Sequence, residues 1–312
     1  MAAPASFPMS FRGVSIFAPD RVLFVAGHDE ADEQGQPVSF YLRWTSAGWE
    51  NRELPVNANS IAVVRHPAPA SLIMGVDGTV IRGSASGFNP ETVDGTKDGP
   101  ERVGDLREIR TIEKRAYVVG MGRTAYRCDG EKSWTRIDQG VRRTGDPKSN
   151  AGFNSIHGFS EKDIFAVGWE GEIWHYDGKK WKQAPSPTNL AFFRVVCAPD
   201  GNVYAVGQRG TIVMGRGSKW KVVEQDETTE DFYGAAWFRK ELYLSNDDGI
   251  FRLAQGTLEK LQLLPKGKQK LKFREGESFA FLDATEDVLW SVGPKMAMWT
   301  DDGQTWSEPG YK

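Results

Sequence analysis

The hydrophobic and polar positions of this chain fall into short apolar runs that end in glycine: VLFVAG to Gly27, SLIMG to Gly75, AYVVG to Gly120, DIFAVG to Gly168, NVYAVG to Gly207 and VLWSVG to Gly293. A seventh run, ELYLSN, carries Asn246 in the glycine's place, and asparagine is the side chain that best tolerates positive φ. Successive anchors lie 48, 45, 48, 39, 39 and 47 residues apart, a period near 45 that fills the chain when taken seven times. Runs this short, rich in β-branched and aromatic residues and bounded by Gly and Asp, are strands rather than helices.

Each repeat has the same internal order. A first strand precedes the anchor run, as in SIHGF from Ser155, RVVCA from Arg194 and FAFL from Phe279. After the anchor a tight turn leads to a third strand: WEG then EIWHYD, QRG then TIVMG, DDG then IFRLA. A further turn delivers a tryptophan, from Asp177 to Trp181, Asp302 to Trp306 and, with one insertion, Asp129 to Trp134; Trp49 and Trp220 sit at the equivalent place. Four short strands per repeat, joined by hairpins, predict an all-β fold: a seven-bladed β-propeller of four-stranded antiparallel blades. One repeat cannot bury both faces of its sheet, so blades must stack. The expectation is a single domain over 1–312, with blades near 11–54, 59–94, 106–139, 153–185, 192–224, 232–264 and 278–309. Residues 1–10 are free to add a strand, although closure does not require one.

A tryptophan that recurs once per blade in a fixed register is packing between blades. Trp169 breaks the rule: it sits in the turn Gly168-Trp169-Glu170-Gly171, where other blades carry Gln208-Arg209 or Asp247-Asp248. A large aromatic in a polar turn is a candidate partner contact.

The last repeat, Trp299-Thr300-Asp301-Asp302-Gly303-Gln304-Thr305-Trp306, resembles the Asp-box S-x-D-x-G-x-T-W, with Asp301, Gly303, Thr305 and Trp306 matching and Trp299 in place of serine. Tyr176-Asp177-Gly178 to Trp181 and Cys128-Asp129-Gly130 to Trp134 are weaker echoes. The chain thus resembles the bacterial WD/YVTN/BNR-like repeat propellers over nearly its whole length. That resemblance implies that the box is a structural turn at the outer edge of a blade. It does not assign an activity, because this architecture hosts many.

Composition narrows the function classes. Lys plus Arg number 39 against 42 Asp plus Glu, a net charge of −3, which argues against nucleic acid or an anionic membrane as the partner. No run of 18 apolar residues occurs. The N-terminus lacks a basic segment followed by an apolar run, and two cysteines, Cys128 and Cys197, are too few to staple a secreted fold, so a cytoplasmic protein is expected. His28, His66, His157 and His175 fall in different strands without metal-ligand spacing, and no nucleophile elbow or phosphate loop is present. A sialidase would need, by resemblance, an Arg-Ile-Pro motif near the first strand; Ser10-Phe11-Arg12-Gly13-Val14 has the arginine alone. No catalytic residue, metal or cofactor is expected.

In a propeller the second-to-third turns and the connections between blades share one face, where binding residues concentrate. The register places Arg123, Trp169, Glu170, Gln208, Arg209, Asp247, Asp248 and Lys295 in those turns, and Arg142 and Arg143 in the Gly140–Gly152 connection beside Lys148. The Glu224–Asp231 connection is acidic; Leu264–Gly276 carries Lys266, Lys268, Lys270, Lys272 and Arg274 with Phe273. Alternating charge of this kind suits recognition of another protein. The expectation is a monomeric, non-enzymatic propeller that binds a protein, a bacterial immunity protein that neutralises a cognate toxin or effector. An assembly or scaffolding factor and a carbohydrate-binding or sialidase-like propeller are the alternatives.

Overall fold

Gly and Asp at the turns, and apolar residues between them, give the chain its hairpins. The structure, a computed structural model, describes residues 9–66, 68–143, 151–267, 270–271 and 277–310. The fold is a seven-bladed β-propeller in which the sheets follow the chain in order. The first strands of the blades, called inner strands below, are Met9–Ala18, Ala58–Val64, Leu106–Ile112, Phe153–Ser160, Phe192–Cys197, Gly234–Phe238 and Phe281–Ala284. Blades 1 to 6 are four-stranded and antiparallel. Blade 7 has three laddered strands, and its fourth, Thr305–Trp306, is tied on by the bridge Trp299↔Ser307 and pairs in parallel with Leu264–Pro265. Part of the basic Leu264–Gly276 connection is therefore an added outer strand. Lys266 there is ion-paired with Asp301 and lies over the Trp299 ring at 5.1 Å. Lys148, Lys268, Lys272, Phe273, Arg274 and residues 1–8 lie outside the described residues.

The chain forms two compact units, one of Met1–Ala58 with Gln225–Lys312 and one of Asn59–Glu224. In each the core lies between blades. In the second unit one cluster joins blades 2 and 3 through Leu72, Met74, Ile109 and Val118, and others join blades 3 and 4 and blades 4 and 5. In the first unit Phe24 of blade 1 packs edge-on against Trp290 of blade 7, centroids 5.5 Å apart, and Phe238 and Tyr243 of blade 6 share a cluster with Met298 and Trp306 of blade 7. The recurrent tryptophans belong to these clusters: Trp181 is buried and donates to the Ile137 carbonyl of the preceding blade at 2.7 Å, and Trp134 donates to Glu91 at 3.1 Å.

The glycine anchors are required by space rather than by φ. Gly168 and Gly207 have φ of −166° and 179°, which any residue adopts. A Cβ on Gly168 would lie 1.8 Å from the Gly152 carbonyl oxygen, and one on Gly207 2.1 Å from that of Ala191. The backbone approaching the inner strand passes against Gly120, Gly168, Gly207 and Gly293, while Gly27 lies against the Arg12 side chain. Asn246 likewise is not in the positive-φ region. Its Oδ1 instead accepts hydrogen bonds from the Asp248 and Gly249 amides at 2.9 and 3.1 Å, closing the turn with its side chain.

An inner strand leaves one edge of its sheet unpaired, and buried backbone N–H groups there need acceptors. The neighbouring blade supplies them. Ser60 Oγ accepts from the Ile109 amide at 3.1 Å, the Glu108 carboxylate from Ile156 at 2.7 Å, Ser155 Oγ from Val195 at 3.1 Å and His157 Nδ1 from Cys197 at 2.9 Å. In the first unit Asp283 accepts from Ile16 at 2.8 Å.

Trp181→Ala is expected to lower the unfolding free energy by about 3–5 kcal/mol in urea denaturation, as a truncated interblade aromatic. Burial, with Arg110 beside it, holds the His157 imidazole well below its ordinary range. The unfolded chain then takes up a proton that the folded chain refuses, so stability falls as pH drops below about 6.5. His157→Asn, which keeps an acceptor but cannot titrate, is expected to flatten that slope in melts run between neutral and mildly acidic pH.

Candidate functional site

The second-to-third turns of blades 4 and 5 fold alike. Trp169–Gly171 and Gln208–Gly210 are single 3-10 turns whose middle residues, Glu170 and Arg209, hold φ of 58° and 53°. Gly171 has φ of 69°, and a Cβ there would lie 2.1 Å from the Thr188 carbonyl oxygen. This geometry turns Glu170 and Arg209 outward, where both are exposed, and folds the preceding residue back. Gln208 Oε1 accepts from the Ala191 amide at 2.9 Å and so braces the chain ahead of the inner strand. Trp169 is half-buried edge-on to Phe193, centroids 6.3 Å apart and planes at 82°, and its indole N–H is closed from solvent without an acceptor.

Other expected contact residues are occupied inside the protein. Arg123 makes a two-pronged ion pair with buried Glu172, whose carboxylate also accepts from Trp174, and its guanidinium lies over the Trp174 ring at 5.4 Å. Arg142 is half-buried and donates to Asp138 at 3.1 Å. Burial pushes the Asp138 carboxyl up although Arg142 stands beside it. Arg143 is exposed, its amide held by the Gly122 carbonyl at 2.8 Å. In the first unit Asp247 and Asp248 are exposed, while Lys295 donates to the Met9 carbonyl at 2.7 Å and pairs with Asp29. The ten residues thus divide: Arg123, Gln208, Arg142 and Lys295 hold the fold, and Glu170, Arg209, Arg143, Asp247 and Asp248 present their charges to solvent, with Trp169 between the two groups.

Residues outside that set complete the picture. Glu108 of blade 3 is ion-paired with Arg194 of blade 5, and Arg110 donates to the Val195 carbonyl at 3.3 Å. A bulge lies at the start of the inner strands of blades 3, 4 and 5, at Arg107, Asn154 and Phe193. A bulge re-aims a side chain, and bulges cluster next to functional sites. The sequence signal for this register is the repeated Asn-Ser pair. Asn59 and Asn154 each donate to the neighbouring inner strand, at Leu106 and Phe192, at 2.8 and 2.9 Å, and Ser60 and Ser155 each accept from the residue three further on.

Nothing in this geometry activates a nucleophile at either cysteine. Burial pushes the Cys128 thiol up even though the Arg82 guanidinium contacts it, and burial also pushes the Cys197 thiol up. Among the described residues no three His, Cys, Asp or Glu side chains group to hold a metal. The Asp-box turn is closed by Asp302 rather than Asp301. Asp302 accepts from the Gln304 and Thr305 amides at 2.8 and 2.7 Å and from the Thr305 hydroxyl at 2.7 Å. Partial burial opposes ionisation there, but these hydrogen bonds prevail and hold the carboxyl well below its ordinary range.

No family model matches the chain. It is 34% identical over 284 residues to the protein named immune protein Tsi7 from Pseudomonas aeruginosa, covering 89% of this chain and 90% of that protein. Among solved structures, the WD40 β-propeller domain of Doa1 superposes with a TM-score of 0.69 at 14% identity, covering 94% and 93% of the two chains. YCF48 bound to a D1 peptide gives 0.67 at 14% identity with the same coverage. YCF48 from Cyanidioschyzon merolae gives 0.56 at 17% identity, covering 83% and 90%. These structures share the fold. They support the propeller, and no family model supports the narrower Asp-box family.

Arg123→Ala would strand the buried Glu172 carboxylate and is expected to lower stability by about 3 kcal/mol. Arg143→Ala is expected to change it by less than about 0.5 kcal/mol. Parallel denaturant titrations of the two variants distinguish the bracing arginine from the exposed one.

Proposed function

This chain belongs to the family of the Pseudomonas aeruginosa immune protein Tsi7, and from that membership we propose that it is itself an immunity protein that binds and neutralises a cognate protein toxin. The observation that carries the proposal is 34% identity extending over 89% of this chain and 90% of the relative, so that the likeness covers most of the chain rather than one motif. It acts by occupancy rather than catalysis, as a cytoplasmic monomer that covers its partner. In the second unit the partner-facing residues are Trp169, Glu170, Arg209 and Arg143; in the first unit, taken by itself, they are Asp247 and Asp248.

The physical support is the exposure of charges of both signs on turns of fixed backbone geometry. The outward charges of Glu170 and Arg209 stand on turns whose backbone is pinned by glycine and by Gln208, so they are presented with little conformational freedom to lose on binding. Charges of both signs on rigid turns orient a partner and speed its encounter. That YCF48, a propeller, has been seen bound to a peptide is in keeping with protein recognition, while its 14% identity to this chain gives no weight to a scaffolding role.

Deleting the gene for this chain in its native host is expected to arrest growth, and inactivating the protein that co-purifies with the chain is expected to restore it. Normal growth of the deletion strain in the presence of an intact, expressed partner overturns the proposal. Trp169→Ala combined with Arg209→Glu is expected to weaken the co-purified complex at least tenfold, measured by titration calorimetry, with the melting temperature nearly unchanged.

A further inference from the structure

The bulges at the start of the inner strands have a chemical pattern of their own. In blade 4 the bulged Asn154 turns its amide back onto the Phe192 carbonyl. In blades 3 and 5 the bulged residues are Arg107, which is exposed and makes no ion pair among the described residues, and Phe193, which is half-buried against Trp169. The two strands are held together at this level, because the residue after each bulge joins the ion pair Glu108–Arg194. The inner strands of blades 2 to 5 carry Arg107, Arg110 and Arg194 against the single acid Glu108, a net charge of 3 − 1 = +2 in a chain whose total is −3. Beside this positive lining stands an aromatic pair whose indole N–H has no acceptor. A buried donor left unpaired is unfavourable, and that cost is recovered if the ring turns to meet an acceptor on binding.

We infer that Arg107, Phe193 and Trp169 form the contact that selects the partner, and that it takes one protruding protein loop carrying an apolar side chain next to a carboxylate. The apolar side chain meets the Phe193–Trp169 pair, the carboxylate meets Arg107, and an acceptor on the loop meets the indole N–H. This rests on the reading of the chain as a protein-binding immunity protein and adds the chemistry of the segment that is bound. Opposite charge on the occupant follows from the net positive lining. The small aromatic pair limits the apolar contact to one or two side chains, the usual form of an interface hot spot.

The probe is a phage-displayed library of random linear peptides panned on the purified full chain. Peptides that pair Asp or Glu with an aromatic or long aliphatic residue are expected to be enriched. A synthetic peptide of the enriched sequence is then expected to lose at least tenfold in affinity, by fluorescence polarisation, against Arg107→Glu and against Phe193→Ala. Lys219→Glu on the outer strand of blade 5 is expected to leave it unchanged. Replacing the peptide's acid with lysine is expected to restore binding to Arg107→Glu, an outcome that a misfolded variant could not give. Enrichment of peptides without an acid, or equal binding by wild type and both variants, overturns the inference. If the Arg107→Glu/Phe193→Ala double variant still protects the host, this inference falls and the immunity reading stands; if peptides bind as expected but deletion leaves growth normal, the reverse holds.

Discussion

The free edge of each blade's inner strand is the constraint from which the remaining structure follows. A four-stranded sheet satisfies its own ladder everywhere except at its two edges. The outer edge lies at the surface, where water supplies partners; the inner edge is pressed against other inner strands. Ser60, Glu108, Ser155, His157 and Asp283 answer this by accepting hydrogen bonds from the inner strand of the next blade. Each such bond fixes the distance and register between blades, and the apolar clusters then fill the space that register defines. The anchors Gly120, Gly168, Gly207 and Gly293 belong to the same constraint, because the chain approaching an inner strand passes within contact of the anchor's backbone and leaves no room for a Cβ.

That seam also explains why binding chemistry collects where it does. Polar groups used at the seam cannot face a partner, and the ion pairs Arg123–Glu172 and Arg194–Glu108 cancel within the fold. What remains available lies in the turns and in the bulged residues at the start of the inner strands. There the positive-φ turns that carry Glu170 and Arg209 hold both residues at the surface. A fold that pairs Arg123 and Arg194 internally can present other charges with defined direction, which is what recognition of one partner among many requires.

Several expectations were met for reasons other than those the sequence suggested. The glycine anchors recur as their spacing implies, yet extended φ values at Gly168 and Gly207 show that steric approach is the cause. Asn246 stands in for glycine by closing the turn with its side chain. Arg123, Arg142, Gln208 and Lys295 sit in the turns and connections that the register places them in, but each is bonded to neighbours far off in sequence or across a turn. A one-dimensional pattern cannot reveal that, since it reports where a side chain begins and not what it reaches. The lysine-rich segment after Leu264 became in part an outer strand, because blade 7's own fourth strand is only Thr305–Trp306 and its edge was open to pairing.

The sequence by itself determined the propeller, its seven repeats and the packing role of the recurrent tryptophans, because each depends on local alternation and on a period that repeats along the chain. It also carried a family likeness over nearly its whole length. Which charged residues the fold keeps for itself, and which it leaves to a partner, was decided only in three dimensions. Arg194 and Glu108 are 86 residues apart in the chain and form one ion pair in space. Arg107 and Phe193 were silent in the sequence for the same reason: a bulge is a property of two paired strands, and neither strand records it alone.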